Sequence, residues 1–195
     1  MSTTQPIKNK HDLKQFRNFY QLQRPNLRNY ALVILGLNTA LRISDILNLT
    51  YDMVYDRNHV KEHIEIKEHK TGKTNRILLN NEVRSVLKKY RKILIRSDAY
   101  MTGNPYLFPS PKETGKHLSR FQAYRIIRTA SDAVHPKEPI SCHSLRKTFG
   151  YYAWKQGADP IVIMLIYNHS SFSITKRYLC IEQDDKDSVY QKILF

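Results

Sequence analysis

The stretch from His143 to Arg146, HSLR, is where the residue types and their spacing first indicate chemistry. The two residues are three positions apart, so on a helix they share one face and can bind the same anion. Histidine and arginine together suit a phosphate, because both can donate hydrogen bonds to its oxygens. The alternative is a surface histidine and arginine that have no common task.

Three further positions gain meaning when they are considered with this pair. Arg42 begins a short predicted helix, and Asp45 follows one turn later, where its carboxylate can hold the guanidinium. Lys70 lies at the mouth of a predicted hairpin turn, and His169 precedes the last predicted helix. A lone histidine or lysine is usually structural or solvated, so none of these residues defines a site by itself.

Tyr178, one of thirteen tyrosines, directly follows Lys176 and Arg177 in the stretch HSSFSITKRYL. It is either a buried aromatic residue or the residue that carries the chemistry. A phenol with its ordinary pKa of ~10 is a poor nucleophile at neutral pH unless a base or nearby cations favour the phenolate. The basic neighbours favour the second interpretation.

The elements that must position these residues are mostly helices. Hydrophobic periodicity and helix-capping residues predict helices over 11–23, 26–40, 42–49, 80–95, 117–134, 143–157, 159–169 and 171–179. The alternating run 63–79 is predicted to be a β-hairpin with Gly72 in its turn, and 101–116 is predicted to be a loop. The predicted fold class is mainly α with a small antiparallel β-sheet (α+β).

Composition indicates a chain that attracts a polyanion. The 195 residues include 32 lysines and arginines against 17 aspartates and glutamates, a formal net charge of +15. Such a field draws DNA or RNA, although a charged solubility surface is the plainer explanation. No stretch approaches the ~20 apolar residues of a membrane span, and the first residues lack the apolar core of a signal peptide. We therefore expect a cytoplasmic protein with no membrane attachment.

Neither a metal nor a nucleotide site is predicted. Cys142 and Cys180 lack metal-ligand spacing and are expected to be free thiols. His59 and His63 are four residues apart, but they lie in a segment predicted to be extended, where they cannot share a helix face. The glycine loop of phosphate-binding enzymes and the serine-hydrolase motif are both missing. We expect no cofactor.

Taken in order, four segments resemble the catalytic domain of the tyrosine recombinases, the phage integrase family: TALRISDILNLTYDMV, HKTGK, HSLRKTFG and YNHSSFSITKRYL. The resemblance extends from about Arg28 to Ile181. It implies the tyrosine recombinase catalytic-domain fold and site-specific DNA recombination or integration for a bacterial or phage mobile element. Members cut one DNA strand with a tyrosine, form a 3′-phosphotyrosyl link and rejoin strands without metal or nucleotide.

The resemblance also implies a role for each residue of the site. Arg42 would clamp the phosphate with support from Asp45, His143 and Arg146 would be the H-x-x-R pair, and Tyr178 would be the nucleophile. The predicted catalytic residues are Arg42, Lys70, His143, Arg146, His169 and Tyr178.

Two of these roles have competitors in the sequence. Lys70 matches the hairpin lysine that protonates the leaving 5′-oxygen, but the same turn can present Lys73 instead. Tyr167, on the apolar stretch IVIMLIY, and Tyr190, in an acidic tail, are the rival tyrosines. We expect a packing role for Tyr167.

The sequence departs from the commonest family pattern in two places near the chemistry. Asn168 stands where a glycine usually precedes the second histidine, and Lys147 follows Arg146 where a histidine is frequent. Both substitutions are expected to alter helix ends without removing a role.

The domain arrangement resembles that of the short bacterial invertases that switch fimbrial expression. About 25 residues precede the match, which leaves no room for the separate N-terminal core-binding domain of most members. We expect a single catalytic domain over 1–195, with a short helical extension (1–27), a catalytic core (28–181) and a C-terminal tail (182–195).

The resemblance implies double-stranded DNA as substrate and a homo-oligomer, a tetramer, on synapsed DNA. The short chain suggests help from an accessory DNA-bending protein or a larger recombinase. The tail is expected either to dock on a neighbouring protomer or to pack on its own domain. A type IB topoisomerase, which shares the chemistry, and a non-catalytic DNA-binding relative are the alternative functions.

Overall fold

The computed structural model describes residues 4–68, 72–181 and 183–193, and helices dominate it. The helices are α1 (Lys10–Asn18), which continues as a π-helical turn over Phe19–Gln23, α2 (Leu27–Asn38), α3 (Ile43–Leu47), α4 (Tyr51–Val54), α5 (Asn81–Leu94), α6 (Asp98–Met101), α7 (Arg120–Val134), α8 (Cys142–Lys155), α9 (Pro160–Ile166), α10 (Phe172–Leu179) and α11 (Gln183–Lys192). The strands are β1 (Tyr55–Asp56), β2 (His59–Val60), β3 (His63–Lys67) and β4 (Thr74–Leu78).

Helix α2 forms the centre of the core. All of its residues from Asn29 to Gly36 are buried, because its sequence is apolar almost all round. Asn26 caps the helix by accepting a hydrogen bond from the backbone of Asn29. Helices α1, α5 and α8 pack around it. Helix α1 contributes Phe16 to this core and α8 contributes Leu145, so both helices pack on α2 within one apolar cluster.

Strands β3 and β4 form the predicted hairpin. They pair antiparallel, with His63 opposite Leu78 and Lys67 opposite Thr74. Gly72 has a φ of +68°, which explains why the turn uses glycine. The fold class is confirmed, with the addition of a second small antiparallel sheet, β1–β2. Its strands of two residues are too short to produce a visible alternation in sequence.

Helices α8, α9 and α10 bring three distant motifs together. Pro160 at the first position of α9 and the capping Asp159 begin that helix sharply after α8. Asn168 then takes a φ of +53°, which turns the chain between α9 and α10. Helix α10 packs against both α8 and α9. The H-x-x-R segment on α8 therefore faces the tyrosine on α10.

The C-terminal tail forms helix α11, which the sequence pattern did not predict. Lys155 on α8 forms an ion pair with Asp185 on α11, so the tail contacts its own chain. Its exposed apolar residues are Val189, Tyr190 and Ile193. None of the helices in the described ranges is long and apolar enough to cross a membrane.

Candidate active site

Arg146 is held inside the protein by backbone carbonyls. Only 2% of its surface is exposed, and it lies in the second turn of α8. Its Nη1 donates to the carbonyl of Ala40, and its Nη2 donates to that of Tyr167 at 3.0 Å. Burial, followed by the positive charge of Arg42, lowers the pKa of Arg146. The guanidinium is thus fixed in direction without any ligand.

Arg42 is held by carboxylates rather than by the backbone. It occupies the N-cap position of α3, and its Nη1 lies 2.5 Å from Oε2 of Glu68. The predicted support, Asp45, is more distant, with its Oδ2 3.9 Å from the same nitrogen. Glu68 follows β3 and is 1% exposed. The main partner of Arg42 therefore comes from the hairpin and not from its own helix.

His143 and Tyr178 meet where α10 packs on α8. The two ring centroids are 5.3 Å apart, in an edge-to-face arrangement of 70°. The guanidinium carbon of Arg146 lies 6.0 Å from the centre of the Tyr178 ring. Tyr178 is partly buried, and it lines a cavity together with both residues of the H-x-x-R pair. The helical spacing of three thus directs the histidine and the arginine to the same tyrosine.

His169 lies in the turn that precedes α10. Its Nδ1 is 2.9 Å from the hydroxyl of Thr175, and its ring centroid is 4.8 Å from that of Tyr178. Burial, then the charges of Arg146 and Arg42, lowers the pKa of His169 to about 4. At neutral pH the imidazole is therefore uncharged.

Tyr167 is the aromatic residue around which these groups are arranged. Its ring centroid is 4.4 Å from the guanidinium carbon of Arg146 and 4.9 Å from the rings of both His169 and Tyr178. Its hydroxyl donates to the carbonyl of Arg146 at 2.6 Å. The side chain is fully buried, and burial raises its pKa. We name Arg146, Tyr167, His169 and Tyr178 the aromatic cluster.

One cavity of about 870 Å³ connects the predicted residues. Five of the six predicted catalytic side chains line it, and Lys73 lines it as well. Lys70 is in the segment 69–71, which lies outside the described residues. The cavity lining includes Arg42, Lys73, His143, Arg146, His169 and Tyr178.

Sequence reasoning missed Glu68, although a signal for it exists. On β3, Ile64 and Ile66 face the core, and Glu65 and Lys67 face solvent. Glu68 continues the inward series, so the alternation itself places a carboxylate inside the protein. A buried carboxylate requires a charged or hydrogen-bonding partner.

The described residues contain no group of three or more histidine, cysteine, aspartate or glutamate side chains that could hold a metal ion. His59 and His63 lie on different strands, β2 and β3. The cationic side chains that line the cavity include Arg42, Lys73, Arg120 and Arg146.

Comparison with known proteins finds a family model and curated relatives that match this chain. The sequence profile of the phage integrase family matches residues 9–184. The chain is 39% identical to the "probable integrase/recombinase YoeC" of Bacillus subtilis strain 168, over 98% of this chain and 97% of that protein. It is 31% identical to the "type 1 fimbriae regulatory protein FimE" of Escherichia coli K12, over 77% of this chain and 73% of that protein.

Solved structures agree with this relationship at the level of the fold. The crystal structure of XerA recombinase superposes with a TM-score of 0.82 at 20% identity, over all of this chain and 68% of that one. The chain spans about half the length, 54%, of other curated relatives. The predicted tyrosine recombinase fold is thereby confirmed.

Proposed function

This chain belongs to the phage integrase family of tyrosine recombinases, and we propose that it cuts and rejoins DNA strands at specific sites through a 3′-phosphotyrosyl intermediate. The observation that carries the proposal is the gathering of Arg42, His143, Arg146, His169 and Tyr178 around one cavity. These residues come from three separate parts of the chain. The net charge of +15 supports DNA as the substrate.

Tyr178 is the proposed nucleophile. It lines the cavity and contacts both histidines through its ring. Tyr167 is a poor candidate, because its hydroxyl is buried and already donates to the Arg146 carbonyl. Tyr190 is 79% exposed on α11 and does not line the cavity. Of the three tyrosines considered, Tyr178 alone combines access to DNA with neighbours that can take its proton.

The two arginines are proposed to bind the scissile phosphate. Arginine donates in a fork geometry that matches phosphate oxygens, and fixed cations stabilise the charge that develops during transfer. The buried Nε of Arg146 has no hydrogen-bond partner among the described residues. An unsatisfied buried donor costs about 1–3 kcal/mol, so a hydrogen bond gained by this nitrogen on DNA binding would be favourable. Arg42 faces the same cavity from the hairpin side.

The proposed cleavage step is a transesterification. The Tyr178 oxygen forms a bond to phosphorus, the bond between phosphorus and the 5′-oxygen breaks, and the DNA 3′-phosphate remains on the tyrosine. His169 is proposed to accept the phenol proton, because its ring centroid is 4.8 Å from that of Tyr178 and its imidazole is uncharged at neutral pH. Lys70, with Lys73 as the competitor, is proposed to protonate the departing 5′-oxygen. Religation reverses these transfers.

Covalent trapping tests this proposal. Random duplexes with 5′-bridging phosphorothiolates are incubated with the wild type and with Tyr178→Phe. Attack on phosphorus breaks the phosphorus–sulfur bond, and the released thiol religates poorly, so the adduct accumulates. We expect an SDS-stable adduct with the wild type alone. An adduct that survives in Tyr178→Phe, or no adduct from a wild type that binds the duplexes, contradicts the proposal.

Assembly on DNA is proposed to be tetrameric and assisted. Exposed apolar residues of the tail (Val189 and Tyr190 on α11, and Ile193 after it) support contact of the tail with another protomer. Deletion of 184–195 should then weaken assembly on DNA and spare cleavage, as measured by light scattering and adduct yield. Unchanged assembly would show that the tail packs on its own chain. Full recombination by purified protein alone would exclude the need for a DNA-bending protein or a larger recombinase.

A further inference from the structure

Glu68 contacts two segments that border the cavity. Its Oε2 lies 2.5 Å from Nη1 of Arg42, and its Oε1 accepts a hydrogen bond from Nδ2 of Asn168 at 3.2 Å. The side chain is fully buried. The two oxygens therefore contact different segments of the cavity lining. Oε2 contacts Arg42, just before α3, and Oε1 contacts Asn168, in the turn before α10. We name Arg42, Glu68 and Asn168 the ion-pair cluster.

The backbone of Glu68 also closes the hairpin connection. Its N–H donates to the carbonyl of Lys73 at 2.9 Å, and its carbonyl accepts from the N–H of Gly72 at 2.8 Å. The enclosed segment contains Lys70, and Lys73 at its far end lines the cavity. A single residue thus joins the lysine-bearing turn to the first arginine.

Asn168 extends the connection to the second histidine. Its φ of +53° is a conformation in which glycine is most at ease and asparagine is tolerated. An asparagine adds an amide that glycine lacks, and that amide donates to Glu68. His169 is the next residue. Asparagine in place of the common glycine therefore links the turn before His169 to the hairpin.

The charge of Glu68 also favours two arginines in one cavity. The positive charge of Arg42 lowers the pKa of Arg146, and the negative charge of Glu68 opposes this effect. Phosphoryl transfer relies on positioning, and a displacement of ~1 Å can cost ~10²-fold in rate. The geometry of Arg42 thus depends on a carboxylate that does not line the cavity itself.

We propose that Glu68 is a positioning residue for strand cleavage, which holds Arg42 and the Asn168–His169 turn in place against the hairpin. The inference rests on the proposed function, but the contacts themselves can be tested separately. A positioning residue acts on the rate of the bound complex and leaves the strength of DNA binding nearly unchanged.

The kinetic test compares Glu68→Gln with Glu65→Gln, a matched carboxylate that faces solvent on the same strand. Phosphorothiolate duplexes of random sequence report single-turnover cleavage at saturating protein, and the same duplexes with ordinary phosphates report the apparent Kd. We expect cleavage by Glu68→Gln to fall ~10-fold or more with the Kd within ~3-fold, and Glu65→Gln to match the wild type. A Glu68→Gln rate equal to the wild type, or a loss confined to the Kd, overturns the proposal.

Asn168→Gly provides the second variant, because it keeps the turn and removes only one contact. We expect a loss of ~3-fold or more in cleavage, and no further loss when it is added to Glu68→Met, a variant of similar size that has no acceptor left for the Asn168 amide. Losses that multiply in the double variant would show that the two residues act independently and would overturn the proposal. This variant also decides the question if Glu68→Gln fails to fold.

Nitrogen-15 NMR of the arginine side chains measures, without DNA, whether Glu68 restricts the motion of the Arg42 guanidinium. A buried ion pair restricts rotation of the guanidinium, so the wild type should show resolved Nη signals of Arg42, assigned by their loss in Arg42→Lys. Glu68→Gln should average them, and Glu65→Gln should not. Identical Arg42 signals in Glu68→Gln and the wild type refute the proposal. Averaged signals together with no adduct from the wild type would support the positioning and refute the proposed function.

Discussion

The aromatic cluster and the ion-pair cluster border the same cavity but are held by different forces. In the aromatic cluster, Arg146 is held by two carbonyls and by the face of Tyr167. In the ion-pair cluster, Arg42 is held by Glu68, a carboxylate from another element. The first depends on close packing in the interior, and the second depends on opposite charges.

The difference predicts how each cluster responds to mutation. Changes of volume should damage the aromatic cluster and reduce both the free energy of unfolding and the cleavage rate. A change of charge at Lys73 should reduce cleavage with little effect on stability, because this lysine is exposed. Loss of either charge of the buried Arg42–Glu68 pair should reduce stability as well, because the other charge is left without its partner. The two arginines, which are proposed to bind the same phosphate, are therefore expected to respond differently to mutation.

The largest effect is expected from the hairpin lysines. Lys70→Ala or Lys73→Ala, whichever removes the general acid, should slow cleavage of ordinary DNA by ~10²–10⁴-fold. The same variant should recover on a 5′-bridging phosphorothiolate, because a thiolate leaves without a proton. Lys67→Ala, an exposed lysine on β3, is the control. Two variants that both cleave ordinary DNA at the wild-type rate would contradict a lysine general acid in this turn.

Gly150→Ala should reduce stability as well as rate. A Cβ at this position would lie 2.4 Å from the Tyr167 hydroxyl, so the central ring of the aromatic cluster must move. We expect a loss of ~1–3 kcal/mol in the free energy of unfolding, measured by urea denaturation, and slower adduct formation. Addition of Tyr167→Phe removes the nearest atom and should restore part of the stability. Wild-type stability in Gly150→Ala alone would show that this packing is loose.

The low pKa of His169 predicts a stability that depends on pH. Its folded value, about 4, lies below the ordinary 6.5, so the unfolded chain takes up the proton first. The stabilisation is complete above pH ~6.5 and is lost as the pH falls toward ~4, by about 1–2 kcal/mol after allowance for solvent screening. Unfolding measured against His169→Gln isolates this contribution. A difference that stays constant across this range would contradict the lowered pKa.

Tyr167→Phe should have the smallest effect. It removes one buried hydrogen bond, worth about 0.5–1.5 kcal/mol, and keeps the stacked rings. Cleavage should change by less than ~10-fold, because Arg146 keeps its carbonyl partners. Tyr152→Phe, which removes an exposed bond from a tyrosine hydroxyl to the carbonyl of Lys8, is the matched control and should lose less stability. Loss of all cleavage in Tyr167→Phe would contradict this expectation and would indicate that the Tyr167 hydroxyl takes part in the chemistry.

The elements that could be predicted from the sequence are those with a regular spacing of apolar residues. Helices α2 and α5 and the β3–β4 hairpin follow from apolar residues spaced along neighbouring positions. Five of the six predicted site residues line one cavity. They were predicted from the order of the motifs along the chain, and the contacts between them could not be derived from the sequence. Two-residue strands and the polar helix α11 carry too little periodic signal to be predicted.

Contacts between distant segments could not be predicted in the same way. Asp45 was the expected partner of Arg42 because it is three residues away, whereas Glu68 is 26 residues away and becomes adjacent only when the hairpin packs. Tyr167 was correctly expected to pack, but its contacts with Arg146 and Tyr178 depend on how α8, α9 and α10 meet. Distances between residues that are far apart in the sequence cannot be predicted from local sequence patterns.

Identification of the modified tyrosine tests the central claim most directly. The trapped adduct is digested with nuclease and trypsin and analysed by tandem mass spectrometry. Cleavage after lysine and arginine places the three candidate tyrosines in different peptides: 156–176 holds Tyr167, 178–186 holds Tyr178 and 187–192 holds Tyr190. We predict a nucleotide attached through a 3′-phosphate to Tyr178. A nucleotide on either of the other peptides would contradict the assignment of the nucleophile.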